Sequence, residues 1–105
     1  EKSYISAKLY YDLGYYKSAI LALRNSLIEY PETKFREELM FMILKSSFLL
    51  ADKSIPSKQR ERFQAAVDEY YSFIGEFPES TYTKEASRIY KSSTDYLEAT
   101  TNKSS

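Results

Sequence analysis

The sequence predicts an all-α fold, a tandem array of antiparallel helix hairpins with about five helices, and three observations lead to it. Two glycines and three prolines among 105 residues are too few turn formers for a β fold, whereas eleven tyrosines suit aromatic packing between long helices. Apolar residues recur three or four positions apart, so that Tyr16, Ala19, Ile20, Leu23, Leu27 and Tyr30 share one helical face. The same face returns 47 residues later as Phe63, Ala66, Val67, Tyr70, Ile74 and Phe77, every one apolar or aromatic.

The first helix is expected at about residues 3–13 and the second at about 16–30. Gly14 between them tolerates the left-handed backbone that a tight helix hairpin needs. Pro31 stops the second helix, because proline disfavours helical geometry at the residue before it and donates no hydrogen bond. Thr33 then caps a third helix, about 34–51, whose early Glu37 and Glu38 suit the helix dipole. This corner, LIEYPETKF at 27–35, is written again as IGEFPESTY at 74–82, so Pro78 ends a fourth helix, about 58–77, and Ser80 caps a fifth, about 82–98. Phe35 and Tyr82 sit where an aromatic ring plugs each corner. The polar segment 52–61, with Pro56 in it, reads as an insertion outside the repeat. The expected domain is 1–98, with units at about 3–31 and 34–78, a capping helix at 82–98 and a flexible tail at 99–105.

Composition narrows the chemistry. Fifteen basic residues balance fifteen acidic ones, which leaves no overall field to attract nucleic acid or an anionic membrane. Cysteine and histidine are absent, which removes disulfides, structural zinc, thiol nucleophiles and the commonest proton shuttle. No apolar run approaches the roughly 20 residues that span a bilayer. Glu37 with Glu38 and Asp68 with Glu69 are sequence neighbours pointing to different sides of their helices, a poor arrangement for paired acid–base work. The expectation is a protein that is not an enzyme and holds no cofactor or metal.

Ala7, Tyr10, Gly14, Ala19, Leu23 and Pro31 fall at the signature positions of a tetratricopeptide repeat, and Ala66, Tyr70 and Pro78 repeat its second half. The spacing departs from that repeat, at 47 residues against about 34. The two YP-E-T and FP-E-S corners, the long first helices and the inserted segment before FQAAVDEYYSFIGEFPES together resemble the carboxyl-terminal part of the BamD-type outer-membrane assembly lipoproteins, in their Bacteroidetes flavour. The resemblance covers residues 3–97. It implies a tetratricopeptide superhelix, a periplasmic place at the outer membrane through a lipidated cysteine upstream of Glu1, and binding to the POTRA domains of BamA or other assembly-machine subunits. The anchor cysteine and earlier repeats do not stand in this sequence, so a fragment is expected. Similar corners occur in tetratricopeptide adaptors of the Tol-Pal system, and a tyrosine-lined oligosaccharide-binding module is a further alternative.

Tetratricopeptide geometry directs one side of each first helix into a concave groove. With Ala7 and Ser46 taken as equivalent small positions, Tyr4, Lys8 and Tyr11 form a ridge there, continued by Met40, Ile43, Ser47 and Leu50 on the third helix. Tyrosine brings large area and a hydroxyl at low entropic cost, which suits a protein partner. A preceding repeat covering the ridge is the competing reading. Of the Tyr-Tyr pairs, Tyr71 is expected over the inserted segment or against a partner, and Lys58, Arg60 and Arg62 form a solvated basic face.

Overall fold

The computed structural model describes the backbone of residues 2–104 and the side chains of residues 5–101. Among these residues five α-helices follow one another, with no strand: α1 (Lys2–Asp12), α2 (Tyr16–Glu29), α3 (Arg36–Asp52), α4 (Pro56–Glu76) and α5 (Thr83–Ser104). Each packs against its chain neighbour, and α5 also reaches α3, as in a stack of hairpins that grows in one direction.

The first turn follows from Gly14, whose φ of 83° lies in the left-handed region. The Tyr15 N–H donates to the Tyr10 carbonyl at 2.8 Å and the Gly14 N–H to the Tyr11 carbonyl at 3.0 Å, the pair of bonds that closes a Schellman helix end. The two corner phrases fold alike. Thr33 N–H bonds to Tyr30 O at 3.1 Å and Arg36 N–H to Thr33 O at 3.2 Å, while Ser80 N–H bonds to Phe77 O at 3.2 Å and Thr83 N–H to Ser80 O at 3.1 Å. The hydroxyls do not cap the following helices as expected. They accept from the amide two residues on, Phe35 N–H at 3.2 Å and Tyr82 N–H at 3.0 Å, which closes a local turn and delays the helix starts to Arg36 and Thr83. The two corners lie against each other, because Arg36 donates to Pro31 O at 3.1 Å and bidentately to Glu76, and the Ser80 hydroxyl donates to Glu37.

α3 is the keystone. Its sequence, REELMFMILKSSFLLAD, is apolar on nearly every side, the mark of a helix enclosed by neighbours. Leu39 and Ile43 join Ala7 and Leu23 in one buried cluster, whereas Phe41 and Leu44 join Phe73, Ala86 and Ile89 in another. The second corner ring, Tyr82, stacks on Phe41 with centroids 4.4 Å apart and planes 7° apart. Phe35 does not plug its corner in the same way: it is 39% exposed, with the Lys34 ammonium 5.3 Å from its ring centre.

Two boundaries differ from the sequence reading. Only residues 53–55 separate α3 from α4, so the expected insertion 52–61 is mainly the first turns of α4, opened by Pro56 at its first position. Those turns are tied to their surroundings. Gln59 donates to the Ala51 and Asp52 carbonyls at 3.1 and 3.3 Å, Arg62 to the Ser54 hydroxyl at 2.7 Å, and Arg60 to Leu97 O at 3.3 Å and to Thr100 and Thr101 at 2.8 and 2.7 Å. Those last bonds also explain why α5 continues past residue 98, where a flexible tail was expected.

Candidate protein-binding surfaces

The seven residues predicted to line one groove are not on one surface. Lys8 is exposed, Tyr11 is half-buried with its ring edge-on to Tyr16 at 5.7 Å, and the Tyr4 side chain lies outside the described residues. Ile43 and Ser47 are buried, at 2% and 5% exposure, and Met40 and Leu50 are half-buried. Ile43 and Ser47 are therefore corrections to the predicted ridge. Ala7 and Ser46, the small positions taken as equivalent, are both fully buried. Ile43 meets the preceding hairpin, where Ala7 and Leu23 cover it.

What continues the Tyr11 face is a polar line across the three first helices. Lys45 of α3 forms an ion pair with Glu85 of α5 at 2.9 Å. The lysine is held above its ordinary pKa, chiefly by that hydrogen bond, with burial opposing and Tyr11 of α1 adding to it. Nearby, burial first and then the Glu38, Glu37 and Glu85 carboxylates push the Tyr82 hydroxyl above its ordinary value. No sequence periodicity marked Lys45 and Glu85, because their meeting depends on helices 40 residues apart in the chain.

Met40 and Ile43 belong instead to a groove of about 750 Å³ between α2 and α4, with α3 as its floor. Leu27 and Ile28 stand on the α2 side, and Ser72 and Gly75 on the α4 side. Two ion pairs border it, Arg24 of α2 with Glu69 of α4 and Arg36 at the start of α3 with Glu76 of α4. The hydrogen bond to Glu76 is the main cause that lifts Arg36 above its already high pKa, with burial opposing, so the guanidinium stays charged throughout the accessible range. The sequence carried one unread signal here: in the duplicated corner phrase, Gly75 occupies the place of Ile28.

The repeat positions divide between interior and surface. Ala7, Ala19, Leu23 and Ala66 are fully buried between helices, Gly14 and the corner prolines Pro31 and Pro78 are exposed, and Tyr10 is 38% exposed. Tyr70 stacks on Tyr90 at 4.5 Å. Tyr71 does not cover the segment after α3. Its hydroxyl bonds to that of Tyr90 at 2.9 Å, and this bond is the main cause of the raised Tyr90 pKa. Of the basic cluster, Lys58 and Arg60 are exposed and Arg62 is half-buried; Arg60 also bonds to Leu97 O and Arg62 to the Ser54 hydroxyl, while Lys58 lies 3.9 Å from Glu61.

Among the described residues no helix is long and apolar enough to cross a membrane. The sequence matches a protein-family model over residues 2–100, that of YfiO, described as an outer membrane lipoprotein. No curated protein matches it.

Proposed function

The chain belongs to the YfiO family of outer membrane lipoproteins, and on that premise we propose that it is a non-catalytic protein-binding scaffold of the machinery that assembles β-barrels in the outer membrane. The observation that carries the reading is the family match over residues 2–100, joined to an array of five helices. Repeat arrays of this kind work by presenting extended surfaces, each helix holding its neighbour's side chains in place. The partners that fit are POTRA domains of BamA or other subunits of the same machinery. The place of action is the periplasmic face of the outer membrane, with a lipid anchor outside these residues. The two corner phrases and the long first helices support the finer attribution to the carboxyl-terminal part of a Bacteroidetes-type BamD.

Calorimetry against isolated POTRA domains tests this. Saturable binding is expected, weakened about tenfold, or 1.4 kcal/mol, by the double variant Lys8→Ala, Tyr11→Ala if the first-helix face takes part. Absence of binding at about 0.1 mM, where an affinity of that order would already register, would overturn the reading.

A further inference from the structure

We propose that the groove between α2 and α4 is a docking site for an amphipathic helix of a partner protein whose apolar residues are interleaved with aspartate or glutamate. The proposal rests on the scaffold reading and assigns it a second surface. Three observations carry it.

The first is the shape and lining. A groove of about 750 Å³ floored by Met40 and Ile43 and flanked by Leu27 and Ile28 is of the size and polarity in which bound apolar groups are held. Ile28 is 78% exposed, far more than a helix in a packed array needs to leave to water.

The second is Gly75. A glycine inside a helix is destabilising relative to alanine, because it loses more backbone freedom on folding. Nothing in the fold calls for it, because a Cβ placed there would meet no atom within 4 Å. Its effect is to leave a gap in the α4 wall of the groove between Ser72 and Glu76, where an incoming helix is able to come close.

The third is charge. Along the outer edge of α2, Lys17, Leu21, Arg24 and Ile28 are all exposed and recur at helical spacing with no acid between them; Arg24 and Ile28 line the groove, Lys17 and Leu21 prolong that edge beyond it, and the acids of the α4 wall, Glu69 and Glu76, are each bound to an arginine. Arg24 keeps 48% of its side chain in solvent while its partner Glu69 keeps 18%, so the outward face of that pair is the guanidinium. Arg36, at the other end, donates all its groups inward to Glu76 and Pro31. A complementary helix therefore brings carboxylates to Lys17 and Arg24 and apolar side chains to the Gly75 gap, the helix-in-groove mode of recognition.

The test uses two synthetic helical peptides of about 18 residues, long enough to lie along α2, sharing one leucine ridge, with glutamates beside the ridge in one and lysines in the other. Fluorescence anisotropy should show the glutamate peptide binding at least about tenfold more tightly than the lysine peptide. The double variant Lys17→Glu, Arg24→Gln should abolish that preference. Gly75→Leu, expected to melt no lower than the native protein, should weaken the glutamate peptide about tenfold or more, and Ile28→Glu provides the same readout at a fully tolerant surface position. No binding, equal binding of both peptides, or binding indifferent to Gly75→Leu and Ile28→Glu would overturn the proposal. So would concentration-dependent dimerisation abolished by Gly75→Leu, which would make the occupant a second copy. POTRA domains that bind native protein and Gly75→Leu alike, with both peptides inert, would refute the groove and leave the scaffold. The expected peptide pattern without POTRA binding would do the reverse.

Discussion

Ser46 and Ser93 stand 47 positions apart, are completely buried, and have hydroxyls with no hydrogen-bond partner among the described residues. The position demands a small side chain between close helices, which alanine satisfies at the equivalent Ala7. A buried hydroxyl left unpaired costs about 1–3 kcal/mol of desolvation that alanine does not incur. Ser46→Ala and Ser93→Ala should therefore leave stability unchanged or raise it by about 1 kcal/mol, seen as a higher urea midpoint at constant slope. A clear loss would mean that the hydroxyls are satisfied in solution. Enlarging the same kind of contact should do the opposite, and Ala19→Leu is expected to cost about 1–3 kcal/mol by overpacking against a neighbour that leaves it no space. The alkaline limb of stability is also decided by single residues. Tyr82 has a raised pKa in the folded state, so its contribution is complete below the ordinary value near 10 and is lost as pH rises through the raised one. Lys45, also raised, acts in the same direction around its ordinary value of 10.5. Unfolding midpoints should hold steady to about pH 9 and then fall, less steeply in Tyr82→Phe; an unaltered alkaline slope in that variant would remove Tyr82 from the account.

Among the helices, α3 and α4 show what a sequence reading captures and what it does not. Enclosure of α3 is legible because leucine, phenylalanine, methionine and isoleucine occupy all its sides, and the pairing of α2 with α4 is legible because their apolar faces match at one spacing. The start of α4 was misread because PSKQRER is polar, and polarity near a proline resembles a loop. The helix is stabilised there by bonds to other elements, from Gln59 to the end of α3 and from Arg60 to α5, and such bonds leave no local trace. Replacing residues 52–61 with a short turn should accordingly destabilise the fold. A milder change isolates one of those ties: in Arg60→Ala the amides of residues 97–101 should exchange faster with solvent while global stability holds, and unchanged exchange would show that the end of α5 stands alone. Gly75→Ala should stabilise α4 by about 0.5–1 kcal/mol, since no packing opposes it; a loss of stability would mean that Gly75 serves the fold rather than the groove.

Over the whole molecule, the direction of stacking separates the residues that were read correctly from those that were not. Small positions such as Ala19 and Ala66 are set within one hairpin and were evident from spacing. Whether an apolar residue such as Ile43 faces water or the preceding hairpin is decided between hairpins, and periodicity is silent on that. The same asymmetry governs stability. Phe41, Leu44 and Phe73, with Ala86 and Ile89, form a cluster joining α3, α4 and α5, reinforced by the stacked Tyr82 and by Phe63 against Tyr96 at 4.5 Å. The cluster joining α1, α2 and α3 is built on Ala7, Leu23, Leu39 and Ile43, without an aromatic ring among the described residues, and Ile5 and Leu9 of α1 and Leu13 just after it are more than half exposed. Each unit of a linear array is stabilised mainly by its neighbours, so the α1–α2 hairpin should open at a lower free energy than the rest. Hydrogen exchange followed by mass spectrometry should show α1 and α2 losing protection in mild urea before α3, α4 and α5. Leu44→Ala, which removes a fully buried side chain at the centre of the larger cluster, should cost about 2–5 kcal/mol and bring the two steps together, because α2 is held by α3. Simultaneous loss of protection across all five helices in the unaltered chain would instead make the array one cooperative unit.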